Sequence, residues 1–480
     1  MDTCVITNYP HDLLLEIVAY LSLEDLLSFL SVCSYFEKLS ECHILWIRVL
    51  EEVQRCRPLA CPIGFDLTQA DVQELIEIAR KTYHLERNWN CTDSPQLMRS
   101  VQSKEYTSLK FEDPGSIISV ISGSSIVILY LEGSESLVCC DMQGSRPSSS
   151  IRVGNIKQHA HYDLLGDHLI ALIIGQPFAE EISLFVISIT YGKNQKTEMK
   201  TVYTSPLYHE CRALFILEDI VALLPFSDDD NGELIAHVTN FKSGINTEIP
   251  LMANHPIENT AFVFCSTLTN TPHIVVCDNV DYVVYKIPMD AFKKRLDNDP
   301  PSNTSSLYVI QLIEVINVHA DEDNSVFDSE LADVKWSSMG LRVMEVQYRR
   351  EFSLSTSTRI SLWPPSTSPT PLSPIQTTLP GTITTHNFEE GSPWLLASSS
   401  SGIYSVMLLD RKNDLSYQED TKLTLNLIHY SKNPPEICSS QIELPFFINP
   451  CDIYSVGIDE RCGVIYLSHF QGYVFALTYA

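Results

Sequence analysis

Two hydrophobic periods divide this chain. Up to about residue 90 apolar side chains recur three and four positions apart, the spacing that gathers them on one face of an α-helix. Leu13, Leu14, Ile17, Val18 and Leu21 make the first stripe, wide enough to face a core and a partner at once. It follows Pro10, whose fixed φ and missing N–H suit a first helical turn. Ser22 with Asp25 reads as a capping box opening a second helix, which carries Leu26, Leu27, Phe29, Leu30 and Val32. Phe36, Leu39, Leu45 and Trp46 extend the apolar content into a third short helical region. Thr68 with Asp71 marks a further start, before Val72, Leu75, Ile76, Ala79 and Tyr83 on one helical face. That helix is expected to end before Asn88-Trp89-Asn90, either joining two domains and setting their orientation or belonging to the core of the second.

From about residue 95 the period shortens to that of strands. Runs rich in Val, Ile, Tyr and Phe alternate with Gly, Asn, Asp, Pro and Ser. Examples are Ile126–Leu131, Leu169–Ile174, Leu234–Asn240, Ala261–Phe264, Tyr308–Ile313, Gly402–Leu408 and Tyr473–Thr478. Many come in pairs, and the second run of each pair centres on Cys139, Val186, His237, Val284, Val346, Val406 and Phe475. The intervals are 47, 51, 47, 62, 60 and 69 residues. Spacing near the length of a four-stranded blade favours a β-propeller over one large sandwich, with about seven blades and six or eight as alternatives. Asp297–Ser306 and Pro364–Gly381 read as inserted loops that lengthen the later intervals. The last strand, Tyr473–Thr478, is expected to pair with a segment near 105–112 and close the ring, which removes exposed edges.

The expected fold class is therefore α+β and multidomain: a small all-α module at 6–52, a helical linker at 53–94 and a mainly-β domain at 95–480. The module has more large apolar side chains than so short a segment can bury, which predicts an interface with another polypeptide.

Composition narrows the function classes. Hydrophobic residues make up 44% of the 480 and charged residues 19%, the balance of a globular chain. Asp and Glu number 60 against 32 Lys and Arg, a net charge of −28 that repels phosphate backbones and argues against nucleic-acid binding. The densest basic groups, Lys293-Lys294-Arg295 and Arg349-Arg350, read as solvated loop or strand-edge charge. No run is long and apolar enough for a membrane span, and the start lacks a secretory pattern. The 14 cysteines include no Cys-x-x-Cys pair and read as reduced, mostly buried side chains of an intracellular protein.

Catalytic chemistry is not legible. The sequence has no Gly-x-Ser-x-Gly, phosphate-cradling glycine loop or His-Glu-x-x-His, so no catalytic residue, metal ligand or cofactor is expected. Asp228-Asp229-Asp230 before Asn231-Gly232 reads as a solvated hairpin, as do Asp321-Glu322-Asp323 and Glu389-Glu390 as exposed loops. His159 and His161 lack an evident third ligand. Arg349-Arg350 and Arg411-Lys412 are candidates to meet an acidic or phosphorylated segment if they line a propeller mouth.

The residue order at the amino terminus adds a name. Pro10, the Leu13-Leu14-x-x-Ile17-x-x-x-Leu21 run, Asp25-Leu26, Val32-Cys33-x-x-Phe36 and Leu45-Trp46 resemble the F-box over roughly residues 6–50. Tyr9 stands where the family usually has Leu, and Ser34 where it usually has a basic residue. The resemblance implies docking on a Skp-type adaptor of a cullin–RING ubiquitin ligase through Pro10, Leu13, Leu14, Ile17, Leu21, Leu26, Val32, Cys33, Phe36 and Trp46. The strand-rich region is similar to the degenerate propellers behind some F-boxes, although no Trp-Asp or Gly-His dipeptide is present. These readings together imply a non-catalytic, cytoplasmic or nuclear receptor subunit that holds a protein substrate. The alternatives are an F-box scaffold uncoupled from degradation, and an enzyme with its site in the propeller channel.

Overall fold

A computed structural model of the chain describes residues 9–18, 20–89, 106–144, 147–164, 166–175, 182–192, 195–207, 211–225, 234–251, 273–277, 281–286, 311–317, 327–337, 340–349, 354–363, 384–389, 392–411, 422–432 and 435–479. The expected strand Ala261–Phe264, the two inserted loops, the acidic runs at 228–230 and 321–323 and the basic run at 293–295 lie outside these residues.

The amino-terminal module contains α1 (His11–Val18), α2 (Leu23–Leu30), α3 (Ser34–Glu37), a 3-10 turn (Lys38–Glu41) and α4 (His43–Cys56). Pro10 stands just before α1, and its carbonyl accepts from the N–H groups of Leu13 and Leu14 at 3.0 and 3.2 Å. Ser22 caps α2: its Oγ accepts from the Asp25 N–H at 3.1 Å and donates to the Asp25 carboxylate at 2.7 Å. That part of the capping reading holds. Trp46 on α4 is buried and donates its indole N–H to the Ser40 carbonyl at 2.7 Å, pinning the 3-10 turn against the helix.

Helix α5 (Val72–Trp89) differs from expectation at both ends. Its cap is the Asp71–Glu74 pair, in which each side chain accepts from the other's backbone N–H at 2.8 and 3.1 Å. Thr68 instead bonds Asp66. The helix runs through Trp89 because that ring is buried against the β-domain, 4.9 Å from the Tyr404 ring and edge-on to it. One apolar core joins Leu14, Val18, Leu26, Phe36, Trp46 and Leu50 to Leu75 and Ala79 of α5. A second joins Leu85 and Trp89 of α5 to Tyr404, Val456 and Leu477 of the β-domain. One helix thus packs in both cores, and α4 runs past residue 52 to Cys56.

The β-domain is built of antiparallel sheets, seven among the described residues. In chain order the strands are β1 (Tyr106–Lys110), β2–β5 (Gly115–Val120, Ile126–Leu131, Ser136–Asp141, Pro147–Arg152), β6–β9 (Asn155–Leu164, Asp167–Gly175, Ile182–Gly192, Gln195–Leu207) and β10–β13 (Cys211–Leu217, Ile220–Pro225, Leu234–Asn240, Ile245–Leu251). There follow β14–β16 (His273–Cys277, Asp281–Lys286, Gln311–Asn317), β17–β20 (Phe327–Ser337, Gly340–Arg349, Leu354–Trp363, Thr384–Glu389), β21–β24 (Ser392–Ser398, Tyr404–Arg411, Lys422–Lys432, Pro435–Gln441) and β25–β27 (Ile453–Asp459, Val464–His469, Tyr473–Thr478). Each group is one sheet, with neighbours in sequence order, and the last is completed by β1 in the order β1-β27-β26-β25. Tyr106 pairs with Leu477 and Lys110 with Tyr473, the ring closure expected from the ends of the domain. First strand meets first strand where neighbouring sheets touch, as in β2 with β25 and β21 with β25, and fourth meets fourth, as in β5 with β9 and β20 with β24. This is propeller topology.

The seven marker positions fall in seven different sheets: Cys139, Val186, His237 and Phe475 on third strands, Val284, Val346 and Val406 on second strands. The expected strand at Tyr308–Ile313 overlaps β16 from residue 311, and residues 308–310 lie outside the described residues.

Module and β-domain meet at one end of the ring, around residues 59–62. Gly123, in the β2–β3 turn at φ +77°, lies so close that a Cβ there would stand 2.7 Å from the Pro62 Cα. Arg461, in the β25–β26 turn, donates to the carbonyls of Leu59 and Cys61 at 3.4 and 3.3 Å. Beneath it the fully buried Asp459 carboxylate accepts from the N–H groups of Gly123, Arg461 and Cys462 at 3.0, 3.0 and 3.2 Å. Burial raises its pKa to about 6, against the lowering effect of those N–H donors.

Candidate partner-binding surface

The stripe on α1 divides between two environments. Leu14 and Val18 are buried, whereas Leu13 is 52% exposed and Ile17 48%. Side chains four apart on a helix are neighbours, so Leu13 and Ile17 form an outward ridge. Val32, after the end of α2, is 70% exposed, and Tyr9, Tyr20, Tyr35 and Ile44 are exposed as well. The Tyr35 hydroxyl reaches the Tyr9 carbonyl at 3.5 Å, linking the segment before α1 to α3.

Of the ten residues expected to bind an adaptor, Pro10, Leu13, Ile17 and Val32 stand on the surface, and Leu21 and Cys33 are half-buried. The other four lie in the interior. Leu14, Leu26, Phe36 and Trp46 are enclosed in the module's own core, with Phe36 stacked on Phe29 at 4.1 Å. Their role in this chain is to hold α1, α2, α3 and α4 together. Sequence reasoning missed Tyr20, Tyr35 and Ile44. For Ile44 a signal existed: Ile44, Leu45 and Trp46 are consecutive, and three successive residues cannot all face one side of a helix.

Exposed charges flank this surface, among them Asp12 and Glu16 on α1. Arg48 and Glu16 lie 3.4 Å apart, both more than half exposed, a pair that contributes little to stability.

His159 and His161 lie on β6. The His161 ring stacks at 5.6 Å on buried His168, whose Nδ1 is 2.5 Å from the Asp163 carboxylate. The facing His168 imidazole holds the Asp163 pKa below the usual carboxylate value, although burial pushes the other way. Among the described residues no group of three or more His, Cys, Asp or Glu is placed to hold a metal ion, and no helix is long and apolar enough to cross a membrane.

Residues 7–52 match the F-box-like family model. The chain carries an F-box-like domain. Among curated proteins no match is found. Solved structures that resemble it include a β-propeller domain and a WD40 domain. The β-propeller domain of Myceliophteria thermophila Cps50 (Swd1) is 9% identical at a TM-score of 0.45, with 79% of this chain and 98% of that one covered. The WD40 domain of SCAP from fission yeast is 11% identical at a TM-score of 0.37, with 74% and 82% covered. Kluyveromyces lactis Hsv2 is 10% identical at 0.35, with 69% and 86% covered. The F-box-like domain is thus followed by a mainly-β domain whose own sheet order is that of a propeller.

Proposed function

We propose that the protein is a substrate-receptor subunit of a Skp–cullin–F-box ubiquitin ligase, acting in the cytoplasm or nucleus. The observation that carries this reading is the outward apolar ridge of Leu13 and Ile17, with Val32 exposed as well, on an F-box-like domain whose core is already filled by other side chains. An apolar surface of this kind marks a protein interaction site. The adaptor covers the ridge, and the β-domain holds a protein substrate. The subunit contributes no bond-making group: it accelerates ubiquitin transfer by keeping substrate beside the charged conjugating enzyme. The rigid docking of α5 between two cores supports this role, because a fixed geometry maintains that proximity.

The test is reconstitution. The chain, co-expressed with a Skp-type adaptor, should co-purify with it and with cullin–RING components. Loss of the gene should lengthen the half-life of at least one protein captured by the β-domain. Failure to bind adaptor would overturn the reading. Adaptor binding with no stabilised client would point to a scaffold uncoupled from degradation.

A further inference from the structure

The last sheet displays a second aromatic surface at the opposite end of the ring from the F-box-like domain. Strand β25 runs from Ile453, paired with His469, to Asp459 beside the junction, a separation of about 20 Å at the rise of a strand. At the Ile453 end, Phe446 is 101% exposed, and Phe447 and Phe470 are 40% and 47% exposed.

Packing accounts for Phe447 and Phe470 in part, but not for the fully exposed Phe446. Phe446 and Phe447 occupy the middle of a turn closed by the Ile448 N–H donating to the Pro445 carbonyl at 2.9 Å. Such positions ordinarily take Gly, Asn, Asp or Ser. The turn is held firmly: Pro445 and Ile448 are buried, and Asn449 caps the following 3-10 turn through the Cys451 N–H. Phe447 lies 5.9 Å from the Phe475 ring, which stacks on Tyr473. Phe470 packs edge-on to Tyr454 at 5.0 Å and donates its N–H to the Asp452 carbonyl at 3.0 Å, tying this turn to the 3-10 turn. Anchors held this way lose little freedom on binding.

The surroundings are acidic. Asp452 lies 3.7 Å from His469, Glu132 accepts from the Tyr454 hydroxyl, and exposed Glu112 follows Phe111, whose N–H donates to the Gly472 carbonyl at 2.8 Å. Lys110 sits 4.8 Å over the Tyr473 ring, so an aromatic face here already holds an ammonium group.

We infer that this surface binds a protein segment in which apolar side chains alternate with lysine or arginine, the apolar groups covering Phe446 and Phe447 and the cations meeting the carboxylates and ring faces. The inference rests on the receptor reading and names the substrate class for it.

The experiment uses the full chain co-purified with a Skp-type adaptor, and three short fluorescein-labelled peptides. One alternates Arg and Leu, one replaces Arg by Glu, and one replaces Leu by Ser. The Arg–Leu peptide should bind about tenfold or more tighter than either control. Phe446→Ala with Phe447→Ala should weaken it about tenfold or more. Asp452→Asn with Glu132→Gln should weaken it a few-fold and flatten its salt dependence. Phe446→Ser alone serves as the surface variant that leaves the core untouched. Equal binding by the Phe variants, or no preference for Arg over Glu, overturns the proposal. So does a dimer in sedimentation, or flotation with zwitterionic vesicles, that the Phe variants abolish. Adaptor co-purification read in the same samples separates the two proposals: its loss with intact peptide binding overturns only the ligase reading.

Discussion

Replacing Leu13, Ile17 and Val32 together by alanine tests whether adaptor affinity and folding stability reside in separate side chains. Full burial of a Leu, Ile or Val side chain contributes about 1.5–3 kcal/mol. Leu13, Ile17 and Val32 retain 52%, 48% and 70% of their exposure, so each has about 1 kcal/mol still to gain from a partner. Their combined truncation should cost about 3 kcal/mol of binding, or roughly 150-fold in Kd. In the free protein the cost is the part already buried, about 1 kcal/mol at Leu13 and Ile17 and less at Val32. Leu13 and Ile17 are neighbours on α1, so their single variants need not sum to the double.

Leu14→Ala is the counterpart. Leu14 is buried in the module core, and its truncation should cost 2–5 kcal/mol of stability on the scale of about that size seen for core leucines. Calorimetric titration with purified adaptor gives the affinities, and thermal unfolding gives the stabilities. The triple variant should lose about 150-fold in affinity and about 2 kcal/mol of stability, whereas Leu14→Ala should lose about 2–5 kcal/mol of stability and keep its affinity at temperatures where it remains folded. A triple variant that binds within threefold of the natural chain, about 0.7 kcal/mol, would refute the argument.

Gly123→Ala should lower the melting temperature and expose the segment near residues 59–62 to proteolysis, because the added Cβ meets the Pro62 backbone and the φ of +77° disfavours any side chain. Trp89→Ala should cost about 3–5 kcal/mol and loosen the β-domain end of α5, read as earlier unfolding of one domain in calorimetry. Asp459 has a folded pKa raised to about 6, so its stabilising contribution is full below about pH 4 and is lost as pH rises through 6; Asp459→Asn should remove that slope in denaturant titrations across the range. His429 has the opposite sign: burial lowers its pKa to about 4, so the stability it supports above about pH 6.5 is lost as pH falls toward 4, and His429→Gln should flatten that part of the profile.

The strands the sequence revealed are those whose residues must be apolar. β3, β12 and β27 begin and end where their Val, Ile, Leu and Tyr runs do, because both faces of a middle strand pack against neighbouring sheets. The fourth strands went unread: β5 is Pro-Ser-Ser-Ser-Ile-Arg and β20 is Thr-Thr-His-Asn-Phe-Glu. A terminal strand pairs on one side only and needs few apolar side chains, so its polar composition looks like a loop. The F-box-like domain shows the complementary limit. Periodicity located the stripe on α1, but adjacent Leu13 and Leu14 have the same chemistry and only packing decides which turns inward. The Thr68 start failed because Asp71 and Glu74, one turn later, offered the helix a reciprocal cap.

The two apolar surfaces are linked by parts that resist bending. From the ridge on α1, force passes through the module core to Leu75 and Ala79, along α5, and into the core around Trp89 and Tyr404. A second connection runs from Leu59 and Cys61 through Arg461 to the Asp459 turn and then along β25. Neither route contains a glycine–serine stretch that would let one domain swing freely about the other. In the receptor role proposed above, a chain built this way would present a substrate at a nearly fixed distance and angle from its adaptor, and a tethered group gains effective concentration only if its span matches the gap to be crossed. The exposed phenylalanines lie at the far end of β25 from the junction. A client bound there would project away from the junction with the F-box-like domain rather than against it.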